Sequence, residues 1–114
     1  MPTVFVTQEP WPDRETGEPI RDFTPAERYG KLKILLPSDH PPSGRLAREM
    51  LDAGLDQYSP EDYIVLSGHP ATIGVAVALA AQRCPVVRLL MWSGRKRAYD
   101  LVVVDLGAVA EIGQ

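Results

Sequence analysis

Residues 63–92 read YIVLSGHPATIGVAVALAAQRCPVVRLLMW, and this stretch decides the fold class. Two apolar runs, 63–67 and 86–92, flank a run of small apolar residues that opens with Pro70 and has helical spacing. Strand–helix–strand units of this kind are right-handed and place both strands parallel in one sheet. The stretch therefore predicts an α/β domain with a parallel sheet.

Further strand patterns extend this sheet on both sides along the chain. Residues 3–7 and 31–37 are β-branched or apolar runs, and 99–106 is another. The segment SGRKRA before the last run is short enough for a β-hairpin with Gly94 in its turn. We expect one small domain over 1–114, with a mixed, mostly parallel sheet of about five strands, two main helices and a C-terminal β-hairpin.

Helix boundaries are indicated by capping residues. The pattern that starts at Thr24 predicts a capping box and a short helix stopped by Gly30. Ser43 is expected to cap a helix over 44–53, with Gly54 as its left-handed terminator. The helix after Pro70 is apolar almost all round, so a lid or a second copy of the protein is expected to cover it.

The segment 8–24 is rich in proline and charge, and it is predicted to be a surface excursion rather than a packed element. It contains Trp11 and Phe23. An exposed aromatic residue in such a segment can anchor a protein partner. The alternative is that the excursion folds back as a lid on the core.

The composition of the chain excludes several classes of protein. Its 114 residues include 12 basic and 15 acidic side chains, a net charge of −3, whereas a general polyanion binder is normally basic. The lone Cys84 has no partner for an internal disulfide, which favours a reducing compartment. No signal peptide is visible, and no apolar run approaches the ~20 residues of a membrane span. We expect a cytoplasmic protein that does not bind membranes.

Two turns share a pattern in which a strand ends at Ser and meets His and then Pro. Because parallel strands end at one edge of a sheet, the turns should form a common rim. Its expected members are Ser38, Asp39, His40, Ser67, Gly68 and His69. One hypothesis makes His69 a general base or metal ligand, with Asp39 and His40 as partners. The other, which is favoured, treats both turns as ordinary strand-to-helix connections, because no catalytic or ligand-binding motif accompanies them.

The predicted hairpin is basic at its tip and flanked by aromatic residues. Its candidate nucleic-acid contacts are Arg88, Trp92, Arg95, Lys96, Arg97 and Tyr99. Cations beside aromatic rings can grip a phosphate backbone and stack on bases. A basic tip equally keeps a hairpin soluble, and a few charges give only weak, salt-sensitive binding.

Several stretches resemble small uncharacterised proteins encoded by tailed phages and prophages. They are VFVTQEP (4–10), TPAERYGKLKILLPS (24–38), SPEDYIVLSGHPATIGVAVALAA (59–81) and VRLLMWSGRKRAYDLVVVDL (87–106). Such proteins often have GDP where this chain has SGHP, so His69 departs from their pattern, which weakens a catalytic role for it. The resemblance implies a cytoplasmic accessory protein that binds host or phage machinery.

We therefore expect a non-catalytic phage or prophage accessory protein that binds a protein partner or itself as a homodimer. No catalytic residue, metal or cofactor is predicted. The alternative is a small-molecule-binding, anion-binding or hydrolytic domain that uses the rim around His40 and His69. Weak nucleic-acid binding through the basic hairpin is a third hypothesis.

Overall fold

Five strands and two helices follow one another in the predicted order. The computed structural model describes residues 2–10, 15–16, 23–39 and 44–106. The elements are β1 (Thr3–Gln8), β2 (Lys31–Leu36), α1 (Arg45–Gly54), β3 (Tyr63–Val65), α2 (Pro70–Arg83), β4 (Val86–Ser93) and β5 (Ala98–Asp105). A 3₁₀ turn, Thr24–Arg28, precedes β2.

β1 comes first in the chain but is an interior strand of the sheet, with a neighbour on each side. The strand order is β2-β1-β3-β4-β5. β1 pairs parallel with both β2 and β3, β3 pairs parallel with β4, and β5 returns antiparallel to β4. The predicted mixed, mostly parallel sheet with two helices and a C-terminal hairpin is confirmed.

The sheet buries apolar side chains on both faces. On the face covered by α1 and α2, here the helical face, Phe5, Leu36 and Ile64 are fully buried with residues of both helices. On the opposite face Val4 and Leu90 are buried in a cluster that includes a residue of the 3₁₀ turn. Each large apolar side chain buried in this way stabilises the fold by about 2 kcal/mol.

α2 approaches the sheet closely because its inward side chains are small. Ala76 and Ala80 are fully buried, and Val77 packs on the same core cluster as α1. Val75 and Ala78 point to a different side of the helix and are exposed. The apolar helix is therefore covered by the sheet and α1 on part of its surface, and one flank is left open.

Arg83 fastens the end of α2 to α1. Its Nη2 donates to the Asp52 carboxylate at 2.8 Å and to the Asp52 backbone carbonyl at 3.0 Å, while Nη1 donates to the Leu79 carbonyl at 3.1 Å. The guanidinium thus binds acceptors from both helices.

The helix-end predictions are corrected in three places. α1 has Gly44 rather than Ser43 as its N-cap, and Ser43 lies outside the described residues. Gly54 belongs to α1 and lacks a positive φ, and a Cβ there would lie 2.6 Å from the Leu35 side chain, so close approach to β2 explains it. The 3₁₀ turn begins with Thr24, which is its first residue rather than its cap.

The turn of the hairpin occupies residues 94–97, within the predicted segment and with Gly94 in it, and its left-handed residue is Arg97. Arg97 has a φ of 54°. Its N–H donates to the Ser93 carbonyl at 2.8 Å, which closes the turn. A four-residue loop needs one residue in this conformation to return the chain in register.

Asp62 ties the start of β1 to the turn before β3. Its Oδ1 accepts from the Thr3 N–H at 2.8 Å, and its Oδ2 accepts from the Ser59 N–H at 2.8 Å and the Ser59 hydroxyl at 3.1 Å. The residue is buried. One carboxylate therefore satisfies three partly buried donors.

Tyr58 places its ring in the core beside Phe5, with ring centroids 5.7 Å apart. Burial, assisted by the neighbouring Cys84 and Asp62, raises the pKa of the Tyr58 phenol to about 12. The native fold therefore favours the neutral phenol.

Replacement of Asp62 by Ala is expected to destabilise the fold by about 3 kcal/mol, because three donors lose a charged acceptor. Urea unfolding followed by circular dichroism measures the change. The matched control is Asp56→Ala, which removes an exposed carboxylate nearby and should stay within about 0.5 kcal/mol of wild type. Equal losses in the two variants would contradict the role given to Asp62.

Stability is expected to fall above pH 10 because of Tyr58. With a pKa raised from 10.0 to about 12 in the folded state, the phenol stabilises the fold fully below pH 10. That contribution, at most about 3 kcal/mol, is lost as pH rises towards 12. Urea unfolding at pH 9, 10 and 11.5 should show a smaller decline in Tyr58→Phe than in wild type. Parallel declines would show that Tyr58 ionisation is not coupled to folding.

Candidate functional site

Gln8 joins three loops at the carboxyl edge of the sheet. Its side chain is almost completely buried at the end of β1. Nε2 donates to the Pro37 carbonyl after β2 at 3.3 Å, and Oε1 accepts from the His69 N–H after β3 at 3.2 Å. The strand order reverses beside β1, which is where open α/β sheets usually have a ligand crevice. Here the Gln8 carboxamide spans that position.

Thr7 completes the pairing of β1 with the chain that follows β3. Its hydroxyl donates to the Ser67 carbonyl and accepts from the Ser67 N–H, the latter at 3.0 Å. Both residues are buried. The Ser67 hydroxyl itself has no hydrogen-bond partner in the part of the chain that the structure describes.

His69 caps α2. Its Nδ1 accepts from the Ala71 N–H at 3.1 Å, so the ring proton is on Nε2. Gly68, with a φ of 97°, sets up this cap, and a Cβ there would lie 2.4 Å from the Cβ of Gln8. The imidazole is exposed, but the nitrogen that would act as a base is already an acceptor.

The structure brings the predicted rim together only in part. Ser38 and Asp39 follow β2 at the same edge as Ser67 and His69, with Ser38 half-buried and Asp39 exposed. His40 lies outside the described residues. Gln8, which connects the two turns, and Thr7, which binds Ser67, were missed, because a polar residue at a strand end has no distinctive sequence pattern.

Among the described residues, no three His, Cys, Asp or Glu side chains are grouped so that they could hold a metal ion. Tyr58, whose pKa is raised, lies in the core rather than at the rim. The hydrogen bonds described at the rim hold its two turns in place.

The basic hairpin presents charge but few aromatic faces. Arg95, Lys96 and Arg97 are exposed at the tip, and Lys96 forms a 3.0 Å ion pair with Asp100. The ring of Tyr99 is buried in the cluster on the opposite face, so it is not presented to a base.

Arg88 lies away from that tip, in a row of cations and rings. Its guanidinium is 5.4 Å from the Tyr63 ring centroid, and the Tyr63 ring is 5.1 Å from that of Tyr29. Arg28 stands 5.5 Å from the Tyr29 ring on the other side. The predicted nucleic-acid contacts are therefore divided between two places.

The excursion is described at only a few residues. Phe23 is half-buried and packs against the cluster on the opposite face of the sheet. Trp11 lies outside the described residues. Phe23 thus contacts the chain's own core.

β5 forms one edge of the sheet, and its middle is apolar on both faces. Val102 lies on the helical face, opposite Leu89 of β4, whereas Leu101 and Val103 lie on the opposite face. Leu101 is 45% exposed, Val102 37% and Val103 57%. Antiparallel strands with one solvated face normally alternate apolar and polar residues. β5 therefore has the apolar composition of an interior strand, although it lies at the edge of the sheet.

The backbone of β5 also has hydrogen-bonding groups that point away from the sheet. The Leu106 N–H donates to the Pro85 carbonyl at 2.9 Å, which identifies a hydrogen-bonded pair of the antiparallel ladder. By alternation, the backbone groups of Val102 point towards β4, and those of Leu101 and Val103 point outward. This outward strip, with the side chains of 101–103, is called the β5 edge below.

The other edge of the sheet is different, because lysines protect it. Lys31 and Lys33 are exposed on β2. The Lys33 ammonium reaches across to the Gly54 carbonyl at 2.8 Å. Charged side chains on edge strands are a common way to prevent unwanted strand addition.

Comparison with known proteins gives a family. Residues 2–106 match the family described as Phage Pam3 gp32-like protein. The chain belongs to this family. The match covers both turns of the rim and the whole β5 edge, and it confirms the resemblance to phage proteins drawn from the sequence. Neither the curated proteins nor the solved structures contain a match. Within the described ranges, no helix of this family member has the length and hydrophobicity needed to cross a bilayer.

Gly68→Ala is expected to destabilise the fold by about 3 kcal/mol, since the new Cβ meets Gln8 and the φ is unfavourable for an L-residue. Gly74→Ala is the control. It lies on α2 with no atom within 4 Å of the added Cβ, and it should stabilise by about 0.5–1 kcal/mol. Urea unfolding measures both, and a neutral Gly68→Ala would contradict the packing described for Gln8.

Proposed function

We propose that this chain is a non-catalytic phage accessory protein that acts in the cytoplasm by binding a polypeptide strand along the β5 edge. The observation that carries the proposal is the exposed apolar run Leu101, Val102 and Val103 on an edge strand. Strand addition at a sheet edge is an established mode of protein recognition. The reduced Cys84 agrees with a cytoplasmic setting.

Two kinds of interaction would hold the added strand. The outward N–H and C=O groups of Leu101 and Val103 would form the main-chain ladder. The side chains of 101–103 would lose water on both faces at once. Apolar neighbours extend this surface: Met91 beside Val102 on the helical face, and Val86 on the opposite face, both exposed. Burial of such side chains gives affinity, while the ladder fixes direction and register.

The contrast between the two edges supports this choice of surface. Lys31 and Lys33 discourage strand addition at β2, whereas β5 has no charged side chain between Asp100 and Asp105. An unprotected apolar edge is an aggregation hazard for a monomer in a cell. A partner bound along the β5 edge would cover this strand and prevent aggregation. Partner binding therefore gives a reason why the edge carries no protecting charge.

The rim and the hairpin tip give weaker candidates. An anion, small-molecule or hydrolytic site around His69 stays a prediction, and so does nucleic-acid contact at Arg95, Lys96 and Arg97. The geometry favours neither, since His69 Nδ1 and the Gln8 carboxamide are engaged in the turn. Tyr99 is buried, and the half-buried Trp92 packs against its ring with an interplanar angle of 64°.

Photo-cross-linking tests the proposal in host cells. Val103 is replaced by a photoreactive phenylalanine in one variant and Lys31, on the protected edge, in another. Illumination is expected to give a covalent adduct from position 103 and none from position 31. Mass spectrometry of the adduct identifies the protein in contact with the β5 edge. Absence of an adduct at position 103 above the level at position 31 would refute binding at this edge.

A further inference from the structure

We infer that the strand bound at the β5 edge is β5 of a second copy, antiparallel, with the two-fold axis passing through Val102. This inference rests on the function proposed above and names its partner. The resulting homodimer would have one continuous sheet of ten strands, five from each copy. Its interface would be isologous, with the same patch used by both copies.

The charge distribution along β5 favours antiparallel self-pairing. Arg95, Lys96 and Arg97 stand before its first residue, and Asp105 is its last. In an antiparallel pair the basic turn of each copy comes close to Asp105 of the other. A parallel pair would bring basic turns together and acidic ends together. Charge complementarity thus selects the arrangement that two-fold symmetry requires.

The position of the axis follows from the side chains. Residues directly opposite in an antiparallel pair share a face, so the axis must pass through a residue of β5. With the axis at Val102, Leu101 lies opposite Val103 in both halves, and Val102 lies opposite its own copy. An axis at Val103 would place Leu101 opposite the Asp105 carboxylate, and one at Leu101 would place Val102 opposite Asp100. The Val102 axis alone matches the three exposed apolar residues with one another.

Symmetry also covers the open flank of the helical face. Val75 is exposed on the side of α2 other than the one that packs with Val77 on the shared core. Met91 and Val102 are exposed on the same face of the sheet. In the dimer, the exposed surface with Val75, Met91 and Val102 in one copy meets the same surface of the other copy at Val102. One α2 helix lies on each side of the two-fold axis. The sequence analysis expected a lid or a second copy to cover α2, and the second of these is thereby given a geometry.

Sedimentation equilibrium of the purified protein tests the partner. Wild type is expected at twice the chain mass of 12.6 kDa. In the double variant Leu101→Lys, Val103→Lys, the new ammonium groups lie opposite each other, and the dissociation constant should rise at least ~100-fold. The control Leu46→Lys places the same charge on an apolar residue of α1 that is 62% exposed, and it should remain a dimer. Circular dichroism verifies that each variant is folded.

A disulfide scan tests the axis. Val102 backbone groups point towards β4, so 102 and its copy would form a non-hydrogen-bonded pair about 4.5 Å apart at Cα, within disulfide range. In a Cys84→Ser background, Val102→Cys should form an intermolecular disulfide on mild oxidation. Leu101→Cys and Val103→Cys, displaced from the axis, should not.

Each outcome decides one claim. A wild-type protein that sediments as a monomer at all accessible concentrations overturns the second copy as partner. If the cross-link at Val103 then leads to another protein, the proposed function stands with a different occupant. Failure of both experiments overturns both proposals. A dimer linked through Val103→Cys but not through Val102→Cys would overturn the Val102 axis.

Discussion

The double pairing of β1 is the constraint on which the rest of the structure depends. β1 is hydrogen-bonded to β2 on one side and β3 on the other, and its central side chains are buried on both faces. Asp62 holds its first residue, and Gln8 and Thr7 close its end. α1 crosses β1 on the way from β2 to β3, and α2 links β3 to β4 in the same direction across the sheet, so both right-handed connections place their helices on one face. The opposite face is left to the 3₁₀ turn.

Local pattern predicted the elements, because each is marked by residues next to one another in the chain. Pro70 opens α2, and β-branched or apolar runs mark the strands. The interior place of β1, between β2 and β3, was not predicted, since it depends on pairing with partners far away in sequence. Gly54 was misassigned for a related reason: its purpose is contact with Leu35, which no local pattern shows.

The candidate sites differ in the same way. The common edge of Ser38 and Ser67 followed from the rule that parallel strands end together. The role of Gln8 did not follow from this rule, because its carboxamide bonds can be identified only when the positions of both loops are known. The run at 101–103 was correctly read as strand, but its exposure depends on the strand order. An apolar run is buried when its strand has a neighbour on both sides, and it stays exposed when its strand forms the edge of the sheet.

The lysines of β2 have a consequence for assembly size. When two β5 strands pair, the free edges of the combined sheet are both β2, and each presents Lys31 and Lys33. A third molecule would meet only β2 edges that carry exposed lysines, which oppose strand addition. Growth by strand addition therefore ends at two copies. The open β5 edge and the charged β2 edge together give a closed assembly instead of a fibril.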